Sequence, residues 1–277
     1  MRWWAKLLAA ALLLSSFWNF TASAAESERR VMFDQHFNWL TPQDAERTLM
    51  RIKAAGFNVF LPCVWIGRGT SWPSALAPPS PEWEPLRHAH PDPLKNLIER
   101  AHALGIEVHP WFTVTYRTRE FMPQFHESGT PPGAFDIHQP GFRRFIVDLM
   151  LEVVRRYDVD GINLDYVRSQ GVCESRFCVQ DYTAKTRRDL HADKKYRDAK
   201  PDARGQYPQG WESLRRWNND AVSAVVQGFA TQARRVNPKL VVSVDSIAEN
   251  REFKLQGADA VDWANRGWVD VVYHMDY

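Results

Sequence analysis

Two aspartates at the ends of neighbouring predicted strands are the residues best placed to do chemistry. Asp165 is the second-to-last residue of the apolar segment 159–166, and Asp245 is the last residue of the segment 240–245. Side chains alternate along a strand, so Asn163 and Asp165 share one face and the intervening apolar residues share the other. Paired carboxylates suit acid/base hydrolysis, in which one gives a proton and the other acts as base or nucleophile. Asp165 and Asp245 are therefore the predicted catalytic pair.

Other carboxylates compete with Asp245 for the second role. Asp276 ends the last predicted strand but has the opposite parity to its two neighbours, and Glu249 lies in the loop after residue 245. The partner could also lie on strands beyond this sequence, and Asp165 itself could instead organise loop backbone. Asp160 lies about 16 Å before Asp165 at 3.3 Å per residue, so it faces the other end of the strand. We expect Asp160 to be a structural turn or cap residue.

Aromatic side chains gather near the same strand ends, and twelve tryptophans is a high number for 277 residues. The apolar faces of sugar rings stack on tryptophan and tyrosine, which favours a carbohydrate ligand. Any single tryptophan in such a place is more often buried in the core. The predicted substrate-binding residues are Trp39, Trp65, His109, Trp111, Tyr116, Asn163, Arg168 and Tyr277.

Two of these residues allow more than one role. His109 shares a face with Trp111 and is a hydrogen-bonding or core histidine rather than a metal ligand, because the first predicted strand carries no His-x-His pair. Arg168 could hold a substrate carboxylate or orient Asp165. We predict neither a metal site nor a cofactor.

These residues need a scaffold, and the hydrophobic pattern predicts strands that alternate with amphipathic helices. The predicted strands are 31–33, 58–65, 106–112, 159–166, 240–245 and 269–277. The predicted helices begin at Pro42 and Pro93 and cover 142–154, 211–235 and 258–265. Regular alternation predicts a parallel sheet, and the lack of a glycine-rich phosphate loop disfavours a doubly wound fold. We predict an α/β fold, a (β/α)8 TIM barrel truncated after its sixth strand.

Two long loops follow predicted strands and so belong to the catalytic face. They are 66–91, rich in proline, and 169–210. Between residues 185 and 204 the second loop carries eight lysines or arginines and four aspartates. This charged segment is either a solvated surface helix or a contact for an anionic glycan.

The N-terminus has the pattern of a secretory signal peptide. Residues 1–24 combine a basic start, an apolar stretch and the small-x-small ending at Ala24, so cleavage there leaves 25–277 as one barrel domain. An uncleaved anchor helix is the alternative. We predict a periplasmic or secreted protein with no stable membrane span after cleavage. Its net charge of only +2 argues against nucleic acid as a partner.

Export makes the three cysteines interpretable. Cys173 and Cys178 are close in sequence within a loop, which predicts a local disulfide in an oxidising compartment. Cys63 lies in an apolar strand and is predicted to be a buried small hydrophobe.

Several blocks of the sequence resemble one family, the bacterial family-10-like glycosyl hydrolases, which differ from the family 10 xylanases. The blocks are 67–74, 92–102, 105–112, 156–168 and 215–219, and the run Asp-Gly-Ile-Asn-Leu-Asp-Tyr at 160–166 is the most specific. The resemblance implies a (β/α)8 barrel, export, and hydrolysis of glycosidic bonds in a cell-wall or extracellular polysaccharide. It maps the catalytic carboxylate onto Asp165.

Two other classes of protein remain open. A non-catalytic glycan-binding barrel of an envelope assembly would use the same aromatic residues and tolerate loss of Asp165. A metal-dependent deacetylase or amidohydrolase would need a ligand pattern that the sequence lacks.

Overall fold

The computed structural model describes residues 28–118, 120–247 and 250–276. The predicted signal peptide and Tyr277 lie outside these residues. In the described part of the chain, no helix combines the length and the apolar character that crossing a membrane requires.

Parallel strands and intervening helices dominate the described residues. The strands are β1 Val31–Asp34, β2 Val59–Trp65, β3 Glu107–Val108, β4 Trp111–Thr113, β5 Gly161–Asp165, β6 Val241–Ser246 and β7 Val271–His274. The α-helices are α1 Pro42–Ala54, α2 Pro93–Ala103, α3 Pro140–Arg156, α4 Arg176–Thr186, α5 Leu190–Lys194, α6 Gln209–Val236, α7 Arg251–Leu255 and α8 Ala260–Asn265. Two short 3-10 helices cover Glu84–Leu86 and Pro123–Phe125.

The strands form one parallel sheet that curls toward a barrel. Its order is β1-β2-β4-β5-β6-β7, with the short β3 also paired to β2. Phe33 on β1 lies 5.5 Å, ring to ring, from both Trp111 on β4 and Tyr273 on β7. Strands at the two ends of the sheet therefore face each other across an interior, which confirms the predicted α/β architecture of a partial TIM barrel.

The third predicted strand is split in two at Pro110. Proline has no backbone N–H to donate to the ladder, so the regular pairing of β3 stops before it and resumes with β4. The Pro110 carbonyl still accepts a hydrogen bond from Asn163 N at 3.0 Å. The interruption therefore changes the strand boundaries without changing the order of the sheet.

Short polar side chains fix the starts of helices and strands. The Thr41 hydroxyl accepts from Asp44 N at 3.1 Å, and Asp92 accepts from Lys95 N at 3.1 Å, so both helices begin as their sequences predict. Asp160 accepts from Val108 N at 2.8 Å and lies 2.9 Å from the ring of His102. Asp160 is a structural residue, as predicted.

Loop 169–210 carries more regular structure than the sequence predicts. It contains α4 and α5, which pack with α6 around a second small core, here called the insertion core. Its buried members are Cys173, Cys178, Tyr182, Leu190, Trp211, Leu214, Trp217 and Leu255. The Cys173–Cys178 disulfide is present within it, and Cys63 is a free, buried thiol, as predicted.

Loop 66–91 is fastened to α3 mainly by the carboxylate of Glu152, and Arg156 on the same helix donates to the Pro73 carbonyl. Glu152 accepts hydrogen bonds from the Trp72 indole at 3.0 Å, from the Ser74 hydroxyl at 2.5 Å and from Ala75 N at 2.9 Å. Trp72 is fully buried beneath the loop. The loop is therefore an ordered part of the fold.

Candidate active site

Three neighbouring strands bring the predicted carboxylates to one end of the barrel interior. Asn163 on β5 pairs in register with Trp111 on β4 and with Ser243 on β6. Side chains two residues further on share the same face, which places Asp165 beside Asp245 at the carboxyl ends of β5 and β6. The alternation read from the sequence thus places Asn163, Asp165 and Asp245 together.

Asp165 is a buried carboxylate on a constrained backbone. Its side chain is only 5% exposed and accepts a hydrogen bond from Tyr166 N at 2.6 Å. Burial raises the pKa of Asp165, an effect that this hydrogen bond, the charge of Arg168 and the Trp111 indole partly offset. Tyr166 adopts a left-handed conformation with φ of 49°, which a side chain as large as tyrosine rarely does. Such strain is typical of functional sites.

Asp245 holds its proton more tightly. It is 5% exposed and accepts one hydrogen bond, at 3.1 Å, from the Asn163 amide, whose nitrogen also lies 3.1 Å from the Ser243 hydroxyl. Burial, and next the negative charge of Asp165, raise the pKa of Asp245 to about 8. Asp245 is therefore expected to carry a proton at neutral pH, next to Asp165.

An open cavity of about 300 Å³ leads to Asp165. Its walls are Gln35, Ile66, Trp111, Thr113, Tyr116, Asp165 and Tyr166. Among the described residues, the walls do not include Asp245, which lies on the neighbouring strand β6. The buried indole N–H of Trp111 has no hydrogen-bond partner of ordinary geometry in the described structure. This cavity can hold a small polar group against one carboxylate, with a second, protonated carboxyl next to it.

An aromatic and cationic rim extends from the cavity along the catalytic face. Tyr116 is 36% exposed, and its ring meets the ring of Tyr166 edge-on at 5.3 Å. Arg168 lies over the rings of Tyr166 and Phe253, at 4.6 and 4.4 Å from their centroids. Tyr116 and Arg168 are thus at the site, where flat ring faces and a cation could contact a sugar chain.

Three predicted binding residues lie elsewhere in the described structure. Trp39 and Trp65 are fully buried, and Trp65 packs among Phe121, Phe135 and Phe145 on the helix side of the sheet. Neither tryptophan offers a ring face to a ligand, because both side chains are 0% exposed. In β2 the register shift between Cys63 and Trp65 turns the Trp65 side chain outward. We therefore correct both to core residues.

His109 is the third. It is buried, lies 3.2 Å from Glu107, and packs so closely on Gly161 that a Cβ there would meet its ring nitrogen at 2.6 Å. Gly161 begins the strand that Asp165 ends, so His109 sits at the opposite end of the interior. It is a core histidine, and its place in the binding set is withdrawn.

Sequence reasoning missed several inward-facing residues. Gln35 and Thr113 line the cavity, and Phe33 and Tyr273 line the interior beside Trp111. Burial, and next the negative charge of Asp245, raise the pKa of Tyr273. The Tyr273 hydroxyl therefore interacts electrostatically with the Asp245 carboxyl. The two-residue alternation of the predicted strand 269–277 is the available signal, since in that pattern Tyr273 has the same parity as Tyr277.

One group of side chains in the described part of the chain has the spacing of a metal site. Ligand atoms of Asp136, Cys173 and Cys178 lie within 4.8 Å of one another. The two sulfurs are joined in the disulfide, so they offer no thiolate to an ion. The group therefore belongs to the packing of the insertion core.

Comparison with solved structures shows the fold. The chain is similar to a polyextremophilic β-galactosidase from the Antarctic haloarchaeon Halorubrum lacusprofundi, with a TM-score of 0.58 and 15% identity over 90% of this chain and 40% of that one. It is similar to the PgaB (BpsB) glycoside hydrolase domain from Bordetella bronchiseptica, with a TM-score of 0.60 and 12% identity over 89% of this chain and 74% of that one. It is also similar to a catalytic mutant of Gan42B, a β-galactosidase from G. stearothermophilus, with a TM-score of 0.56 and 16% identity over 88% of this chain and 39% of that one. The chain thus spans about two fifths of either β-galactosidase.

The fold is therefore that of the (β/α)-barrel glycoside hydrolases, with a carboxylate pair where such barrels place their active sites. Within that class the chain belongs to the glycosyl hydrolase-like 10 family, whose profile matches residues 31–128 and 124–277. This confirms the resemblance seen in the sequence. No curated protein sequence matches the chain.

Proposed function

We propose that the protein is a glycoside hydrolase that cleaves glycosidic bonds of a bacterial cell-wall or extracellular polysaccharide by carboxylate chemistry. One observation carries the proposal. Two buried carboxyl groups lie side by side at the carboxyl ends of β5 and β6, and one of them opens into a cavity of about 300 Å³. Neighbouring carboxyl groups with different proton affinities are what acid/base cleavage of a glycosidic bond needs.

We assign the two roles from the position of Asp165 on the cavity wall and from the large rise in the pKa of Asp245. Asp165 faces the cavity and acts as the carboxylate, either attacking the sugar or stabilising its developing positive charge. Asp245, with a pKa of about 8, keeps a proton at neutral pH and supplies it to the leaving oxygen. The Asn163 amide donates to Asp245 and holds that carboxyl in place.

Substrate contact falls to the rim around the cavity. Trp111 and Tyr116 supply ring faces, and the Trp111 N–H, which interacts with the Asp165 carboxyl, supplies a donor next to the reacting group. Arg168 lies between two rings at the edge and contacts the sugar beyond the cleavage point or its acidic substituent. Tyr277, which lies outside the described residues, is proposed as a further substrate contact.

The proposal includes export to the periplasm or the exterior. Its support is the signal-peptide pattern of residues 1–24 and the disulfide of the insertion core, which suits an oxidising compartment. Polysaccharides of the cell wall or the surrounding matrix are the glycans available there.

The experiment measures the release of new reducing ends from a panel of bacterial polysaccharides. The protein is compared with Asp165→Asn and with Asp158→Asn, whose carboxylate is exposed beside the far end of the sheet. We expect at least about a hundredfold loss of activity in Asp165→Asn and none in Asp158→Asn. Equal activity of all three proteins would contradict the role of Asp165.

A non-catalytic glycan-binding barrel is the second candidate. The observation in its favour is that Asp245 lies outside the cavity walls. Such a protein would release no product, and it would bind a glycan as well after the change Asp165→Asn as before it. Calorimetric binding by the native protein and by this variant, without new reducing ends from either, would establish it.

A further inference from the structure

A polar groove separates the C-terminal end of α4 from the first half of α6, away from the cavity at Asp165. It has a volume of about 520 Å³, and six of its lining residues are Lys185, Arg187, Arg188, Arg216, Trp217 and Asp220. We call it the basic groove. Four of these six side chains are cations and one is an anion.

Two of the four cations are neutralised within the fold. Lys185 lies 2.9 Å from Asp181, and Arg188 makes two contacts of 2.6 Å with the carboxylate of Asp193. Both ion pairs join residues within the segment 181–193. They hold the groove in shape but leave little charge for a ligand.

Arg187 and Arg216 are different, because both are exposed and neither takes part in an ion pair within the described part of the chain. The Arg216 guanidinium reaches only the backbone carbonyl of Glu212, at 3.4 Å. Arg187 has a left-handed backbone with φ of 60°, fixed by a hydrogen bond from its N–H to Thr183 O. Two solvated guanidinium groups are thus presented from two different helices toward the same groove.

The groove rests on a rigid base. Trp217 forms part of its wall, is buried, and stacks flat on His138 with 3.5 Å between ring centroids. The Trp217 indole donates to Asp181 at 2.8 Å, the same carboxylate that holds Lys185. Because this base is fixed before any ligand arrives, the entropy lost on binding is confined to ordering the exposed arginine side chains.

We propose that the basic groove binds a carboxylate-bearing segment of an acidic polysaccharide, with Arg187 and Arg216 as the two anion contacts. This inference rests on the proposed function for the view that the ligand is a glycan, and it makes the substrate class acidic. Guanidinium groups match carboxylates in a two-pronged geometry, and the polar walls suit sugar hydroxyls.

The charge balance favours a polyuronate over a nucleic acid. Four cations and the three carboxylates Asp181, Asp193 and Asp220 leave a local charge of 4 − 3 = +1. The net charge of the whole chain is only +2. Nucleic-acid binding draws its affinity from many phosphate contacts, and two unpaired guanidinium groups supply only two, whereas a polyuronate can add contacts between its hydroxyl groups and the polar walls.

The test uses fluorescently labelled polygalacturonate as the probe and the complete exported protein carrying Asp165→Asn, so that binding is measured without turnover. Arg187→Ala combined with Arg216→Ala is compared with Arg235→Ala combined with Lys239→Ala. The control pair removes the same charge from exposed sites at the other end of α6 and just beyond it. Neutral dextran and a single-stranded DNA oligonucleotide are measured alongside.

We expect the groove variant to bind polygalacturonate about tenfold more weakly at low salt and the control variant to bind unchanged. The difference should shrink as salt rises from roughly 20 to roughly 200 mM, because screening weakens exposed charge pairs. Equal binding by both variants, or tighter binding of the DNA than of polygalacturonate, would overturn the proposal. Since binding is read without cleavage, a failure here leaves the hydrolase proposal standing, and the reverse also holds.

Discussion

Replacing Asp245 with asparagine tests the electrostatics of the carboxylate pair through protein stability alone. A carboxyl group with a pKa of about 8 in the folded state and about 3.9 when unfolded binds its proton more tightly in the folded state. Raising the pH from about 4 to 8 therefore removes stability, because the unfolded chain releases this proton first. At about 1.4 kcal/mol per pKa unit, the three units between pH 5 and 8 correspond to about 4 kcal/mol.

Asparagine has nearly the same shape and does not titrate. Asp245→Asn should therefore gain stability relative to the native protein as pH rises, with the gain approaching about 4 kcal/mol between pH 5 and pH 9. Urea unfolding of both proteins at pH 5, 7 and 9 measures this difference directly. The exposed Asp158→Asn serves as the control and should show no gain that depends on pH.

A stability difference between Asp245→Asn and the native protein that stays constant from pH 5 to pH 9 would refute this reasoning. It would show that Asp245 ionises normally, and the assignment of the proton to Asp245 would be lost with it. A shift of the opposite sign would mean that the carboxylate form is stabilised in the fold.

Three further expectations concern other parts of the molecule. Burial lowers the pKa of His138 to about 3, so acid destabilises the fold below about pH 6.5. His138→Gln should therefore reduce the loss of unfolding free energy between pH 7 and 4 by about 3 kcal/mol, as measured by urea unfolding. An equal loss in the variant and the native protein would contradict this. Glu152→Ala leaves the buried Trp72 N–H without its acceptor, so thermal unfolding should show about 2 kcal/mol less stability. Limited proteolysis should then cleave the variant within loop 66–91. A cleavage pattern like that of the native protein would argue against the role of Glu152 in holding the loop. Asp165 and Asp245 lie side by side on neighbouring strands, whose backbones are about 4.8 Å apart, so we expect their carboxyl groups to be closer together than those of inverting enzymes. NMR of the first product should therefore show a retained anomer, and an inverted anomer would contradict this.

The sheet and the carboxylate pair follow from short-range patterns. Alternation in β5 and β6 places Asp165 and Asp245 on one face of the sheet, and the parallel pairing of the two strands brings them side by side. The Thr41 and Asp92 caps are equally local, because the side chain and the backbone N–H that it caps are three residues apart.

The errors arise where long-range contacts decide. The register shift in β2 turns Trp65 toward the helix layer, and the sequence of residues 58–65 does not predict this shift. His109 has the inward parity that was predicted, but its depth in the barrel depends on the pairing of β3 and on the space left by Gly161. The insertion core brings together residues as far apart in sequence as Tyr182 and Leu255, so the local pattern of residues 169–210 does not predict α4 and α5.

The most direct test of the central claim is hydrolysis in water enriched with oxygen-18, followed by mass spectrometry of the products. If Asp165 drives glycosidic hydrolysis, each cleaved bond yields one chain with an oxygen-18 at its new reducing end, while the other chain keeps the original bridging oxygen. Asp165→Asn should form such labelled chains at least about a hundredfold more slowly. Product that lacks the heavy oxygen would point to cleavage by elimination. Labelled product formed equally fast by Asp165→Asn would show that the reaction does not depend on this carboxylate.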